Sequence, residues 1–156
     1  MTAHYVEQTP KTVYLHWTAG NYGQVFTAYH ACITVRRSYI LPWTWVAKVV
    51  KSHPYDRKLN VHTAYRNGDS VALSCCGAAK NYPIRREQIE VMCLEAARVC
   101  LKYNIPVDKD HIISHARAAR LDGYYPERVD FDGRDDELIG KIRYYANKIK
   151  AGDLKP

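Results

Sequence analysis

The chain has 156 residues, 47% hydrophobic and 25% charged, enough for one compact domain with a real core and no need of disulfide staples. Its apolar stretches fall far short of the roughly 20 residues that a membrane span requires, and Met1 to Pro10 lacks the apolar core of a signal peptide. A formal net charge of +7 favours anionic partners. The lysines and arginines are scattered, however, with only short pairs at Arg36-Arg37 and Arg85-Arg86, so nothing argues for nucleic-acid binding.

Residues Lys11 to His16 alternate, with Val13 and Leu15 on one side and Thr12, Tyr14 and His16 on the other, the period of a strand. The strand runs into Trp17-Thr18-Ala19-Gly20, where Gly20 and Gly23 permit a sharp loop. Tyr29 to Val35 is a second strand candidate. From Pro42 to Ser52, the spacing of Trp43, Val46, Val49 and Val50 predicts a short amphipathic helix, with Trp43 and Trp45 read as core in preference to a sugar-stacking platform. Ser70 to Cys75 reads as a buried strand. Ile84 to Tyr103 is the clearest helix: Ile89, Cys93, Ala96 and Cys100 form an apolar stripe widened by Met92 and Val99, ended by Asn104 and Pro106. His111 to His115 is strand-like, with His115 at its far end. Asp135 to Lys150 is a terminal helix, acidic at its start and lysine-rich at its end, as the helix dipole favours. The alternation predicts a mixed α/β fold.

Five cysteines (Cys32, Cys75, Cys76, Cys93, Cys100) form no CxxC pair and are expected to be reduced core residues. Three of the seven histidines, His16, His62 and His115, each follow an apolar or alternating run and precede a polar loop. No HExxH motif occurs, and a lone histidine is more often structural than a ligand. Two imidazoles and one carboxylate would leave an open fourth position on a catalytic zinc. The acidic residues after His115 (Asp122, Glu127, Asp130, Asp132, Asp135, Asp136) are too dense for spacing to choose among them.

Taken in order, Leu15-His16-Trp17-Thr18-Ala19-Gly20, Ala28-Tyr29-His30, Val61-His62-Thr63, Asn67 with Ser70-Val71-Ala72-Leu73, and Ser114-His115-Ala116 resemble the zinc-dependent N-acetylmuramoyl-L-alanine amidases of the peptidoglycan-recognition type. The likeness is greatest to bacteriophage endolysins, with Ser74-Cys75-Cys76 after the middle strand. It covers about 11–130 within a single domain of 1–156, followed by the helix at about 135–150. The segment 36–60 fits that family poorly.

The resemblance implies a central mixed β-sheet flanked by helices, with a zinc cleft on one face. It also implies one Zn2+ ion held by His16, His115 and Asp130, with Tyr29 and Arg128 as catalytic residues. His62, Asn67 and Trp17 would line or brace the substrate groove. The implied reaction is hydrolysis of the amide between N-acetylmuramic acid and L-alanine by zinc-activated water. Ser74 stands where many relatives carry a glutamate able to act as general base.

A phage lysin of this kind would be a monomer made in the host cytoplasm, acting at the bacterial cell wall or periplasm. Its partners would be peptidoglycan and, through basic charge, anionic envelope polymers. The alternative within the same fold is a non-catalytic peptidoglycan-binding module. A Cys-His hydrolase using Cys75 or Cys76 ranks last, because a thiol in an apolar strand is inert.

Overall fold

A computed structural model describes residues 6–40, 43–59, 62–63, 66–123 and 129–156. Five strands form one mixed sheet: β1 (Thr12–Trp17), β2 (Ala31–Arg37), β3 (Trp45–Lys51), β4 (Ser70–Cys75) and β5 (Ile112–Ser114), in the order β3-β2-β4-β1-β5. Strand β1 runs parallel to both β4 and β5, and β2 is parallel to β4; β3 alone is antiparallel, paired with β2 at the sheet edge. Among the described residues, three helices flank the sheet: α1 (Arg86–Tyr103), α2 (His115–Asp122) and α3 (Asp135–Lys150).

Alternation along the strands sorts the two faces. Val13 and Leu15 of β1, Ala31 and Ile33 of β2, and Val71, Leu73 and Cys75 of β4 pack with the stripe of α1 (Ile89, Met92, Cys93, Ala96, Cys100) and with Leu138 and Ile142 of α3. The opposite face presents Tyr14 and Ile113, which pack on Ala118 of α2. His16 lies two residues beyond Tyr14 and shares that second face. Gln88 locks α1 to the sheet: its amide donates to the carbonyls of Ile33 (3.0 Å) and Cys76 (2.6 Å), while its oxygen accepts from the Arg85 N–H. Asn104, in the left-handed conformation at φ 54°, caps the other end.

The helix expected over Pro42 to Ser52 is instead strand β3; Pro42 itself lies outside the described residues. Its valines and tryptophan suit a pleated surface, and β2 offers an open seven-residue edge from Ala31 to Arg37 for pairing. Trp45, Ala47 and Val49 are half-buried while Val46 and Lys48 are exposed, the period of a strand. Trp43 is not core, since it stands almost wholly in solvent. Trp45 lies beneath the Arg85 guanidinium, 3.8 Å from its ring centre. All five cysteines are free and buried. Burial pushes the Cys75 thiol well up, and the hydrogen bond with Cys32 pushes up that of Cys76, so neither supports a cysteine nucleophile.

His30, buried just before β2, uses both ring nitrogens. Nε2 lies 2.7 Å from the Arg57 carbonyl and must donate; Nδ1 accepts from the Ala72 N–H at 3.0 Å. Protonation would destroy the acceptor, and desolvation lowers its pKa to about 4. The native state therefore binds fewer protons than the unfolded chain below about pH 6.5. Its contribution is intact above that pH and is lost as pH falls towards 4, a change of about 3 kcal/mol. Thermal melts of the metal-free protein should fall across this window, and His30→Gln should flatten the slope. An unchanged slope in the variant would exclude His30.

Candidate metal centre

Three chain segments converge at the carboxyl end of β1. His16, fully buried, comes from the strand itself. His115 is the first residue of α2, one step beyond β5, so the strand expected to end on it stops at Ser114. Ser114 caps α2 by accepting from the Arg117 N–H, and Asp135 at the head of α3 receives both the N–H (2.9 Å) and hydroxyl (2.7 Å) of Ser114. The β5–α2 junction, and with it His115, is thereby pinned from the third helix.

Asp130 arrives from the segment before α3. Its Oδ2 accepts the Trp17 N–H at 3.1 Å, and its carbonyl accepts the Ala116 N–H. The next residue, Phe131, adopts a left-handed backbone at φ 57°, disfavoured for a bulky residue by roughly 1–2 kcal/mol. Complete burial against Trp17, ring centres 5.2 Å apart, offsets that strain.

The ligand-type atoms form a tight triangle. His16 Nδ1 and His115 Nδ1 are 3.0 Å apart, and they lie 3.8 and 3.6 Å from Asp130 Oδ2. A point about 2 Å from all three atoms exists, the length of a Zn–N or Zn–O bond. Two imidazoles and a carboxylate, all buried, are also the donor chemistry that a divalent transition metal takes. The donor set fits a zinc ion.

A hydrogen-bond chain stands behind His16. His16 Nε2 lies 3.3 Å from Thr63 Oγ1, Thr63 Oγ1 lies 2.9 Å from His62 Nδ1, and His62 Nε2 lies 3.2 Å from Ser70 Oγ. Ser70 Oγ donates at 3.1 Å to the carbonyls of Arg66 and Asn67. That carbonyl end fixes every direction, because a carbonyl only accepts. Ser70 therefore accepts from His62 Nε2–H, Thr63 donates to His62 Nδ1, and His16 donates from Nε2 to Thr63. His16 then carries its lone pair on Nδ1, the atom 3.0 Å from His115 Nδ1 and 3.8 Å from Asp130 Oδ2. Burial lowers the His62 pKa to about 3, in keeping with the neutral tautomer this chain needs.

The remaining expected site residues divide. The Tyr29 ring lies 4.9 Å from that of His16, at the site. Asn67 braces: its Oδ1 accepts the N–H groups of His62 (3.0 Å) and Thr63 (2.9 Å). His62 is buried, with both ring nitrogens engaged inside the protein. Trp17 packs on Phe131 and the α1-side core, and meets the site through its backbone N–H. Arg128 lies outside the described residues. Ser74 pairs with His16 in the β4–β1 register, and its buried hydroxyl has no hydrogen-bond partner among the described residues. Two braces escaped sequence reasoning: Thr63, and the ion pair of Arg66 with Asp122 at 2.6 Å, which ties the His62 turn to the end of α2.

No protein-family model matches the chain, and no curated protein matches it in sequence. Solved structures do match its fold. The Staphylococcus aureus hydrolase AmiA, in complex with its ligand, superposes at a TM-score of 0.66 over 99% of this chain and 84% of its own, with 15% identity. The N-acetylmuramoyl-L-alanine amidase LysC from Clostridium intestinale URNW gives 0.60 over 90% and 91%, with 14% identity. The endolysin of the Thermus scotoductus MAT2119 bacteriophage Ph2119 gives 0.56 over 89% and 88%, with 12% identity. The chain has the α/β fold shared by these proteins.

Proposed function

We propose that the protein is a peptidoglycan hydrolase that cleaves the amide between N-acetylmuramic acid and L-alanine, using one zinc ion held by His16, His115 and Asp130. The observation that carries this reading is the buried triangle of Nδ1, Nδ1 and Oδ2 atoms at the end of β1. The shared fold with an amidase and an endolysin supports it.

When bound, zinc supplies a Lewis acid that acidifies water and polarises a carbonyl. The chain's own groups divide the remaining work. His16 and His115 present neutral lone pairs, and Asp130 adds the negative charge. Tyr29, packed beside His16, donates a hydrogen bond to the oxyanion that forms at the lactyl carbonyl. Arg128, matched through the resemblance alone, would supply a permanent positive charge to that oxyanion and is too basic to shuttle protons. Ser74 has no capacity to take a proton from water at neutral pH. That property favours the second reading, a module of the same fold that binds peptidoglycan without cutting it.

Digestion of isolated peptidoglycan, with mass spectrometry of the new ends, distinguishes the two. Free stem peptides beginning with L-alanine are expected, abolished by a chelator and restored by zinc. Binding without cleavage by the zinc-loaded protein would select the recognition module. Glycan fragments with intact stems would replace the amidase reading with a glycosidase.

A further inference from the structure

The three most exposed large apolar side chains among the described residues sit at one place. Tyr39, Ile40 and Trp43 are 91%, 88% and 89% exposed, all at the tip of the β2–β3 hairpin, and Val46 follows them on the outer strand. The fold does not need them. The Ser38 N–H already closes the strand pair on the Thr44 carbonyl at 3.0 Å, and Tyr39, Ile40 and Trp43 lie beyond that closure.

Along the chain, the charge flanking the tip has one sign. No aspartate or glutamate occurs between Glu7 and Asp56, a stretch that contains Lys11, Arg36, Arg37, Lys48 and Lys51. The Arg36 guanidinium lies 4.7 Å over the Tyr39 ring and that of Arg37 lies 5.3 Å over Trp45. Glu87, in the first turn of α1, is paired with Arg85.

We propose that this hairpin tip docks the protein on an anionic lipid bilayer, with Tyr39, Ile40 and Trp43 in the headgroup–acyl boundary and Arg36 and Arg37 at the phosphate level. Tyrosine and tryptophan favour that boundary, and basic residues beside it are drawn to anionic headgroups. The extent of exposure separates a bilayer from a sugar. A stacking platform presents one ring face and is held from behind, whereas side chains about nine-tenths exposed are covered only by a medium that surrounds them. Ile40 has no ring to offer a sugar.

The tip also faces a defined way. Ile33 of β2 is level with Cys75 of β4, and Cys75 with Trp17 of β1. Thr34 to Arg37 therefore run on past that level by about 13 Å, at 3.3 Å per residue. A bilayer gripped by the tip faces the end of the sheet that carries His16. The proposal does not depend on the amidase reading.

Co-sedimentation of the full chain with vesicles tests it, using phosphatidylcholine alone and phosphatidylcholine with about one-third phosphatidylglycerol. Binding is expected only to the anionic vesicles, weakening as salt rises. It should drop at least tenfold (~10) in a Tyr39→Ser, Ile40→Ser, Trp43→Ser triple variant with an unchanged melting temperature. The blue shift of tryptophan fluorescence on vesicles should shrink in Trp43→Phe, which keeps Trp17 and Trp45. No vesicle binding, or equal binding by the triple variant, would overturn the proposal. So would a variant that instead loses binding to purified peptidoglycan, or one that dissolves a dimer of the parent chain.

Discussion

Asp130→Asn should release zinc and lower amidase turnover by at least about 10³-fold while leaving the fold intact. The substitution isolates the charge. Asparagine keeps the shape and a carbonyl oxygen able to accept the Trp17 N–H, so the hydrogen bond that holds this segment against β1 survives. What disappears is the anionic donor that closes the triangle with His16 Nδ1 and His115 Nδ1. Asp130→Ala removes the hydrogen bond as well, and its extra loss of stability should be only about 1 kcal/mol. Metal content measured after gel filtration, beside the melting temperature of the metal-free protein, separates the two effects. A variant that retains stoichiometric zinc and full turnover would take Asp130 out of the ligand set.

The parts of the fold that the sequence makes legible are those with local causes. Helix α1 announces itself through a stripe at helical spacing and a left-handed Asn104 cap, and α3 through its charge gradient. Strand β4 coincides with its expected range, Ser70 to Cys75, because six buried residues bounded by polar loops leave little choice. Strand β3 fails for the opposite reason. Its apolar positions satisfy helical spacing about as well as alternation, and what decides the matter is the unpaired edge of β2, contributed by another part of the chain. Helix α2 is equally hidden: Ala116, Ala118 and Ala119 are small on every side, and the element is set by Ser114 and Asp135.

The site divides along the same line. His16, His115 and Asp130 are distant in sequence, and only resemblance to a known family singles Asp130 out among six neighbouring acids. Their convergence depends on the parallel pairing of β1 with β5 and on the Trp17 N–H that receives Asp130. Thr63 enters the sequence reading only as part of the Val61-His62-Thr63 motif, with no role of its own. A threonine beside a histidine is unremarkable until the folded chain brings its hydroxyl between two imidazoles.

That hydroxyl gives the sharpest test of how the centre is held. Thr63→Val keeps the volume and removes the acceptor for His16 Nε2–H together with the donor to His62 Nδ1. With the Thr63 acceptor gone, the His16 proton is held less firmly on Nε2 and moves more readily to Nδ1, the nitrogen that faces Asp130 and His115, and each such molecule has lost a metal donor. Outer partners of this kind are worth about 10–100-fold in metal affinity, and a loss in that range is expected by zinc titration. Nitrogen chemical shifts of the metal-free protein should show His16 passing from the Nε2–H tautomer to a mixture, which a general loosening of the fold would not produce. Thr63→Ser restores the hydroxyl without the methyl and should recover both readouts. If Thr63→Val binds zinc as tightly as the parent and His16 keeps its tautomer, the chain through His62 and Ser70 is packing alone, and the orientation of His16 must be set from the Asp130 side.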